Sequence, residues 1–294
     1  MFEGLSVAMV TPFKNGAIDY TATANLVEFM IEGGVQGLVV SGSTGEAATT
    51  SFDEKRELWK FVKAQAKGRV WIVAGTGTND TAVSIAITKM AEEVGVDGAM
   101  VVTPFYNKPS AKGQVAHFDA VAKSTKLPVI LYNVPGRTGT NTLPDTLAQV
   151  TAPNVKAVKE ASGSLDQMAQ VKQKTRFTLL SGDDSLTLPA ISVGGEGIIS
   201  VVGQVVPREM RALTDAARAG RLDEARALND KLAPIFKAAF IESNPSPTKF
   251  LLSRMGICAN ELRLPLVPVE PASETAILAA AEKVGVKLAS AVYA

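Results

Sequence analysis

The 294-residue sequence predicts an α/β protein of the (β/α)8 (TIM) barrel class with a C-terminal helical extension. Two observations support this prediction. Short apolar runs rich in Val and Ile recur from end to end, and a segment with helical periodicity follows each of them. Eight such units at a spacing of roughly 30 residues favour a closed barrel of parallel strands over an open doubly wound sheet.

The predicted strands are nearly continuous in apolar character, as expected for parallel strands buried on both faces. They are Leu5–Val10, Gly37–Val40, Val70–Ala74, Gly98–Val102, Val129–Tyr132, Val155–Val158, Phe177–Leu180 and Gly197–Val202. Side chains that can cap free backbone N–H groups mark three helix starts, at Asp19, Ser51 and the pair Asn79 and Asp80. Each of these helices ends near a glycine, as helices commonly do.

The chain after the eighth strand has a different pattern, in which helical segments alternate with proline-containing loops. These segments are Arg208–Gly220, Leu222–Ser243, Pro247–Met255 and Ser273–Val284. We interpret the first segment as the last barrel helix. The predicted division is therefore a catalytic barrel over residues 1–220 and a helical extension over residues 221–294.

Composition and charge argue against several classes of function. The formal charge of +1 gives no field that would attract nucleic acid or an anionic membrane. The sequence has neither a secretory signal pattern nor the roughly 18 consecutive apolar residues of a membrane helix. The single cysteine, Cys258, excludes an intramolecular disulfide and favours a cytoplasmic location; we expect it to be a packed thiol.

Histidine is equally scarce, since His117 is the only one. A histidine-based metal site is therefore excluded, and we expect a solvated or partly packed helical histidine rather than a member of a Ser-His-Asp triad. The glycine cluster Gly75–Asp80 lacks the third glycine of a dinucleotide fingerprint, so no nucleotide cofactor is expected. The chemistry must rest on lysine, tyrosine, hydroxyl, carboxyl and arginine side chains.

The most informative residue is a lysine at the end of the sixth predicted strand. Alternation along VKAVKEA places Val155, Ala157 and Lys159 on one face and Lys156 and Val158 on the other. Reactive groups of this fold lie at the carboxyl ends of the strands, where Lys159 would lose hydration and its pKa would fall. A neutral amine is the form that attacks a ketone. From spacing alone, a lysine that points outward or pairs with Asp183 fits the sequence equally well.

Other strand ends carry hydroxyls, phenols and an arginine. The segment GSTGE exposes backbone N–H groups and the hydroxyls of Ser43 and Thr44, which suits a bound carboxylate, although an ordinary βα turn would look the same. Tyr132 and Tyr106 could transfer protons or could pack at the barrel rim. Arg137 could hold a substrate carboxylate through two hydrogen bonds or could extend into solvent.

Together these segments resemble the superfamily of pyruvate-dependent aldolases and lyases that includes dihydrodipicolinate synthase and N-acetylneuraminate lyase. The resemblance spans Met1 to about Pro268. Its motifs, in the order and spacing of the family, are GLVVSGSTGEAATTS, VTPFYNKPS, LYNVPGRTG, VKAVKEASG and LLSGDD. The combination is far more specific than any one of these motifs.

The resemblance implies a role for each reactive side chain. Lys159 would form a Schiff base with pyruvate, and Tyr132 would transfer protons during imine formation and carbon–carbon bond formation. Thr44 and Tyr106 would complete a hydroxyl relay to solvent. Tyr106 would come from a neighbouring subunit, so the resemblance implies a homo-oligomer, either a dimer or a tetramer.

The resemblance also implies how the substrates bind. The amides of Ser43 and Thr44 would hold the carboxylate of pyruvate, and Gly182 and Ile199 would line the pocket. Arg137 would receive the carboxylate of L-aspartate 4-semialdehyde. The implied reaction forms 4-hydroxy-tetrahydrodipicolinate, the committed step towards diaminopimelate and lysine, and it involves no metal or cofactor.

Two alternatives remain open from the sequence. A sibling aldolase could cleave a 2-keto-3-deoxy sugar acid or N-acetylneuraminate through the same Lys159 imine. Arg137 argues against it, because an arginine suits a short substrate with a terminal carboxylate better than a polyol. A non-catalytic barrel could serve as a small-molecule sensor or an assembly subunit, although every reactive side chain of the family is present.

The resemblance further bears on feedback inhibition by L-lysine. In lysine-sensitive relatives, a carboxylate, an imidazole and a tyrosine hydroxyl bind the charged ends of the effector. Here those positions hold Val83, Lys55 and Phe105, and only Asn79 remains. We therefore expect weak inhibition by lysine or none.

Overall fold

The structure, a computed structural model, describes residues 1–289 and contains a closed barrel of eight parallel strands. Residues 290–294 of the predicted extension lie outside the described part of the chain. The barrel strands are β1 (Gly4–Ala8), β2 (Gly37–Val40), β3 (Trp71–Gly75), β4 (Gly98–Val102), β5 (Val129–Asn133), β6 (Val155–Glu160), β7 (Thr178–Ser181) and β8 (Gly197–Ser200). Successive strands are hydrogen-bonded neighbours, and β1 closes the barrel against both β2 and β8. The predicted fold is confirmed.

Helices surround the barrel and fill the connections between its strands. They are α1 (Tyr20–Glu32), α2 (Phe52–Ala66), α3 (Thr81–Val94), α4 (Ala111–Lys123), α5 (Pro135–Thr138), α6 (Pro144–Leu147), α7 (Leu165–Lys174), α8 (Thr187–Ser192) and α9 (Pro207–Arg218). The three predicted caps are present: the side chains of Asp19, Ser51 and Asp80 accept hydrogen bonds from the first turns of α1, α2 and α3. The cap of α2 is reciprocal, because Glu54 bonds back to the Ser51 amide.

Three more helices follow the barrel, α10 (Leu222–Ala238), α11 (Ser246–Arg254) and α12 (Pro271–Val284). The turn at Gly220 separates them from α9, close to the predicted boundary. Helix α10 packs against α9 and α12, so the extension is joined to the last barrel helix. Helix α10 ends at Ala238, five residues before the predicted end at Ser243.

Small elements were missed by the sequence prediction. A two-stranded antiparallel hairpin pairs Phe13–Lys14 with Ala17–Ile18 after β1. Helices α5 and α6 are four residues long each. Segments of this length contain too few residues to show a period, so pattern analysis does not detect them.

The two scarce side chains lie in the packed interior. Cys258 is buried, as predicted, and burial raises the pKa of its thiol to about 12. His117 is also buried, so the expectation of a solvated or partly packed ring is wrong. It lies on the buried stripe of α4 with Phe118 and Val121, and its Nδ1 is 2.9 Å from Thr81 Oγ1. Burial lowers the pKa of His117 to about 4.

The centre of the barrel is filled by apolar side chains from all eight strands. This interior cluster consists of Phe2, Ala8, Val39, Val73, Met100, Ile130, Tyr132, Val134, Ala157, Leu180 and Ile199. Two larger clusters pack the outer faces of the strands against the helices. Reactive side chains such as Lys159 lie at the carboxyl ends of the strands, where the barrel opens. No helix within residues 1–289 is long and apolar enough to cross a membrane.

Candidate active site

Lys159 lies near the carboxyl end of β6 with its side chain inside the barrel mouth, and it is only 4% exposed. Lys156, on the opposite face of the same strand, is exposed and donates a hydrogen bond to the Pro153 carbonyl at 2.9 Å. The alternation expected for VKAVKEA is confirmed for Ala157 and Lys159 on one side and Lys156 and Val158 on the other. It is wrong for Val155, which packs with Val158 in an outer cluster, because the pairing of β5 with β6 shifts register between Val129 and Ile130. Within the described residues Lys159 forms no ion pair, although Asp183 lines the same cavity.

The surroundings of Lys159 favour its neutral form. Burial lowers the pKa of this amine to about 8, against the opposing charges of Asp183 and Asp184 and with a smaller contribution from Arg137. Desolvation dominates because the ammonium loses its water shell and gains no direct carboxylate partner. A much larger share of this amine is unprotonated near neutral pH than of an exposed lysine.

Tyr132 is the nearest aromatic neighbour of that amine. Strands β5 and β6 pair so that Tyr132 is directly opposite Lys159, and the lysine Nζ is 4.4 Å from the centroid of the phenol ring. Burial raises the pKa of Tyr132 to about 12, so the phenol stays protonated at neutral pH. A protonated phenol beside an amine can donate a proton and take it back.

Gly182 provides the space that Lys159 occupies. A Cβ at this position would lie 2.6 Å from the Ala161 Cβ and 3.1 Å from the Lys159 Cε. A side chain here would therefore clash with Ala161 and press against the end of the lysine side chain. Ile199, the other predicted pocket residue, is buried in the interior cluster, and Val201 stands in the cavity wall two residues further along.

Two cavities lie side by side at the barrel mouth. The smaller one, which we call the lysine cavity, has a volume of about 240 Å³ and contains Lys159. The larger one, the outer cavity, has a volume of about 440 Å³ and extends towards α2 and the extension. Four polar side chains line both cavities, Ser43, Tyr132, Arg137 and Asn244. A molecule in the outer cavity would therefore share contacts with one bound at Lys159.

The two hydroxyls of GSTGE have different surroundings. Ser43 is exposed and lines both cavities. Thr44 is buried, lines the lysine cavity, and its Oγ1 accepts a hydrogen bond from Asn244 Nδ2 at 2.8 Å. Both predicted residues therefore line the lysine cavity, and Ser43 also lines the outer cavity.

Arg137 lies in the short helix α5, directly after β5, and lines both cavities. Its Nη2 donates to the backbone carbonyl of Asn244 at 3.0 Å. Asn244 was not predicted from the sequence, because the proline-containing segment around it has the pattern of a connection between helices. An amide side chain beside two prolines was the only available signal, and it does not reveal a contact made so far away along the chain.

Tyr106 is separated from this constellation. It follows β4 in the loop TPFYNKP, is 88% exposed and has a φ of 71°. It lines neither cavity of its own chain, whereas the preceding Phe105 lines the outer cavity. The chain thus brings six predicted residues together at the lysine cavity without Tyr106 and Ile199: Ser43, Thr44, Tyr132, Arg137, Lys159 and Gly182.

Buried carboxylates fix the loops around the mouth. Asp184 accepts hydrogen bonds from Ser200 Oγ and from the backbone N–H groups of Val201 and Val202. These contacts join the ends of β7 and β8. The loops that carry the cavity wall are therefore held in place before any substrate binds.

Comparison with known proteins agrees with this geometry. A model of the dihydrodipicolinate synthetase family matches residues 1–284. The chain belongs to this family. It is 49% identical over 276 residues to a 4-hydroxy-tetrahydrodipicolinate synthase of Geobacter sp. (strain M21), an alignment that covers 93% of this chain and 95% of that protein.

Solved structures of the dihydrodipicolinate synthetase family have the same fold. The dihydrodipicolinate synthase from Aquifex aeolicus superposes with a TM-score of 0.96 at 40% identity, covering 98% of this chain and 99% of that one. A structure described as the first monomeric dihydrodipicolinate synthase variant gives a TM-score of 0.96 at 38% identity, covering 97% and 98%. Both comparisons include the helical extension, so it belongs to the family fold.

Proposed function

We propose that this chain is a 4-hydroxy-tetrahydrodipicolinate synthase, which condenses pyruvate with L-aspartate 4-semialdehyde. Relatives at nearly half identity carry this activity in their names. The observation that carries the proposal is the buried amine of Lys159, with its lowered pKa, beside the phenol of Tyr132 and across from Arg137.

The reaction would begin at the lysine. The neutral Nζ of Lys159 attacks the C2 carbonyl of pyruvate, and loss of water leaves a protonated imine. Loss of a proton from the methyl group then gives an enamine, whose terminal carbon attacks the aldehyde carbon. The amino group of the second substrate displaces the lysine from C2, which closes the ring and frees Lys159 for another cycle.

Each of these steps moves protons, and Tyr132 is placed to carry them. Thr44 would pass protons between Tyr132 and the partner's Tyr106, and it retains its own hydroxyl hydrogen because its oxygen accepts from Asn244. Ser43 is the alternative relay group, since it lines both cavities. Comparing kcat for Thr44→Val and Ser43→Ala, with pyruvate labelling as the control for binding, decides between the two.

Two positively polarised regions would hold the substrate carboxylates. The backbone N–H groups of Ser43 and Thr44 follow β2 and would bind the carboxylate of pyruvate, with Gly182 leaving room beside the imine. Arg137 would bind the carboxylate of the aldehyde substrate from the shared wall of the two cavities. An arginine in this wall favours the condensation over cleavage of a sugar acid, whose hydroxylated tail needs neutral partners.

The position of Tyr106 supports an oligomer of at least two chains. Its side chain is exposed on a loop at the mouth and has no place in its own chain's site. We infer that it enters the site of a neighbouring subunit. Family relatives include a monomeric variant, so the number of subunits is a property to measure for each member.

Covalent labelling tests the proposed chemistry most directly. Pyruvate with borohydride should reduce the imine and attach the three-carbon unit to Lys159, and Lys159→Ala should remove the label. Lys156→Ala is the matched control, since it changes the exposed lysine of the same strand. Mapping of the adduct to any residue other than Lys159 would refute the assignment. A labelled protein that forms product from a sugar acid but not from aspartate semialdehyde would support the sibling aldolase.

A further inference from the structure

A loop of the extension forms part of the active-site wall. It joins the end of α10 to the start of α11 and contains Asn244. Asn244 is 4% exposed and lines both the lysine cavity and the outer cavity. The extension therefore contributes to the site as well as packing on the barrel.

Two hydrogen bonds connect Asn244 to groups used in the proposed mechanism. Its side-chain Nδ2 donates to Thr44 Oγ1 at 2.8 Å, and its backbone carbonyl accepts from Arg137 Nη2 at 3.0 Å. The first bond leaves the Thr44 hydroxyl hydrogen to point elsewhere, since the oxygen is already an acceptor. The second bond uses one N–H of the guanidinium and so limits the directions of the remaining ones.

The Asn244 side chain is itself held in place. Its Oδ1 lies 3.5 Å from the hydroxyl of Thr248, a buried residue of α11. The next residue of this helix, Lys249, forms a completely buried ion pair with Glu46 at 2.5 Å. Glu46 belongs to GSTGE, the segment that carries Thr44. Two buried polar contacts therefore join α11 and the loop before it to the same segment of the barrel mouth.

We propose that Asn244 is a positioning residue, which orients the Thr44 hydroxyl and the Arg137 guanidinium together. This assignment rests on the proposed condensation. It means that one residue of the extension supports a group that binds pyruvate and a group that binds the aldehyde. The Thr44 hydroxyl and the Arg137 guanidinium can react or bind without Asn244, but their orientation depends on its hydrogen bonds. A donor that points away from its acceptor forms a weak hydrogen bond, since the bond weakens steeply as the donor–hydrogen–acceptor angle departs from linear.

A double-mutant cycle tests the coupling. The variants are Asn244→Ala, Thr44→Val and the double variant, with two measurements for each. One is the pyruvate concentration that half-saturates borohydride labelling, and the other is kcat and KM for each substrate in the condensation. Asn244→Ala should lower kcat/KM for pyruvate roughly 5- to 50-fold in the wild-type background and less than about 2-fold in the Thr44→Val background. Equal effects in both backgrounds would overturn the proposal.

A second cycle with Arg137→Ala tests the other arm. Loss of the Asn244 side chain releases the loop that carries its carbonyl, so the penalty of Arg137→Ala on the KM of the aldehyde should shrink in the Asn244→Ala background. An undiminished penalty would refute this arm. Assays of the wild-type protein distinguish failure of the proposed condensation from failure of the proposed role of Asn244. A protein that is labelled by pyruvate but forms no condensation product contradicts the proposed function, while the labelling cycle with Thr44→Val still decides the role of Asn244.

Two further variants separate positioning from folding. Asn244→Asp keeps the size and the oxygen near Thr248 but removes the donor to Thr44, so it should reproduce the kinetic defect. Ser253→Ala is the matched control, because this buried hydroxyl of α11 bonds only to the Phe250 carbonyl within the described residues and lines neither cavity. It should keep wild-type kinetics at a comparable change in Tm. If Ser253→Ala shows the same kinetic defect as Asn244→Ala, the effect is structural and the proposal is wrong.

Discussion

The end of β6 and the loop after β4 both carry residues of the proposed site, yet they are built in opposite ways. Lys159 at the end of β6 is 4% exposed, has Tyr132 as its strand neighbour and occupies space left by Gly182. Tyr106 in the loop is 88% exposed, with a backbone φ of 71°. The first region is assembled within one chain, whereas Tyr106 lies outside both cavities of its own chain.

This difference separates two requirements of the reaction. Formation of the imine needs a dehydrated amine and a protonated phenol, and a single barrel supplies both. In the proposed mechanism, proton exchange with solvent during the later steps would need the exposed Tyr106, which lines neither cavity of its own chain. The positive φ of Tyr106 costs of order 1–3 kcal/mol for a bulky residue, and such a cost is usually maintained where function requires it. Imine chemistry should therefore survive changes in the loop, and turnover should not.

The largest effect is expected from separating the two regions onto different chains. Tyr106→Phe should lower kcat by roughly 100- to 10,000-fold, the usual contribution of a proton-transfer group, and Lys159→Ala should abolish turnover. A hybrid dimer of the two variants contains one intact site. Random exchange between equal amounts should therefore restore about a quarter of wild-type activity. Assays before and after subunit exchange, with exchange confirmed by mass spectrometry, measure this recovery. If exchanged mixtures stay inactive, the site is not shared between chains.

Arg137→Ala should have the next largest effect, and it separates binding of the aldehyde from imine formation at Lys159. Removal of a charged, two-point contact to the aldehyde's carboxylate should cost on the order of 2–4 kcal/mol, or roughly 30- to 1000-fold in kcat/KM. Labelling by pyruvate and borohydride should be nearly unchanged, because Lys159 does not depend on Arg137 for its burial. Normal use of aspartate semialdehyde by this variant would instead favour a sugar acid as substrate.

A smaller and graded effect is expected from pH. In the proposed mechanism the neutral form of Lys159 attacks pyruvate, so its reactive fraction grows as pH rises through its pKa of about 8. The rate of imine labelling at low pyruvate should fall about tenfold per pH unit well below that value and level off above it. Tyr132, whose pKa is raised to about 12, should add no step in this range.

The same pH measurement tests whether the end of β6 is independent of the loop after β4. Tyr106→Phe should leave the labelling profile unchanged, because the surroundings of Lys159 are complete within one chain. A profile displaced by a full pH unit in this variant would show that the loop contributes to the environment of the lysine. A wild-type profile that keeps rising past about pH 10 would show that the amine is not desolvated.

Most of the barrel could be predicted because its signals are local. Each strand is a short apolar run, and caps such as Asp19, Ser51 and Asp80 act within one helical turn. The inward face of Lys159 followed from alternation with Lys156 in a single strand. Local rules also explain the limits of the prediction, since the hairpin and helices α5 and α6 are too short to show any period.

Contacts between distant segments were the part that sequence patterns did not reveal. Asn244 reaches Thr44 and Arg137 only because the extension folds back over the barrel mouth. The buried ion pair of Lys249 with Glu46 depends on the same return of the chain. The burial of His117 likewise depends on how α4 packs. No local pattern encodes these distances, whereas the family resemblance identified Lys159, Tyr132 and Arg137 as a set.

The smallest effect is expected from L-lysine, the end product implied by the proposed reaction. The outer cavity is the region of interest, because it lies beside GSTGE and is lined by Phe105 and Lys55. The Lys55 ammonium is held in this wall by the carbonyls of Ala47 at 2.8 Å and Thr50 at 2.5 Å, so it would repel a second ammonium. Val83 packs against the apolar core and offers no charge.

Binding of lysine here would bury charged groups without partners, at a cost of several kcal/mol that removes sub-millimolar affinity. Initial rates at sub-saturating pyruvate should therefore stay nearly constant as lysine rises to about 1 mM, a Kd equivalent to roughly −4 kcal/mol. Val83→Glu is an informative partner variant, because a carboxylate on α3 would supply one missing charge and should increase sensitivity. Half-inhibition of the wild type well below about 1 mM would mean that other residues, Asn79 among them, complete the binding site.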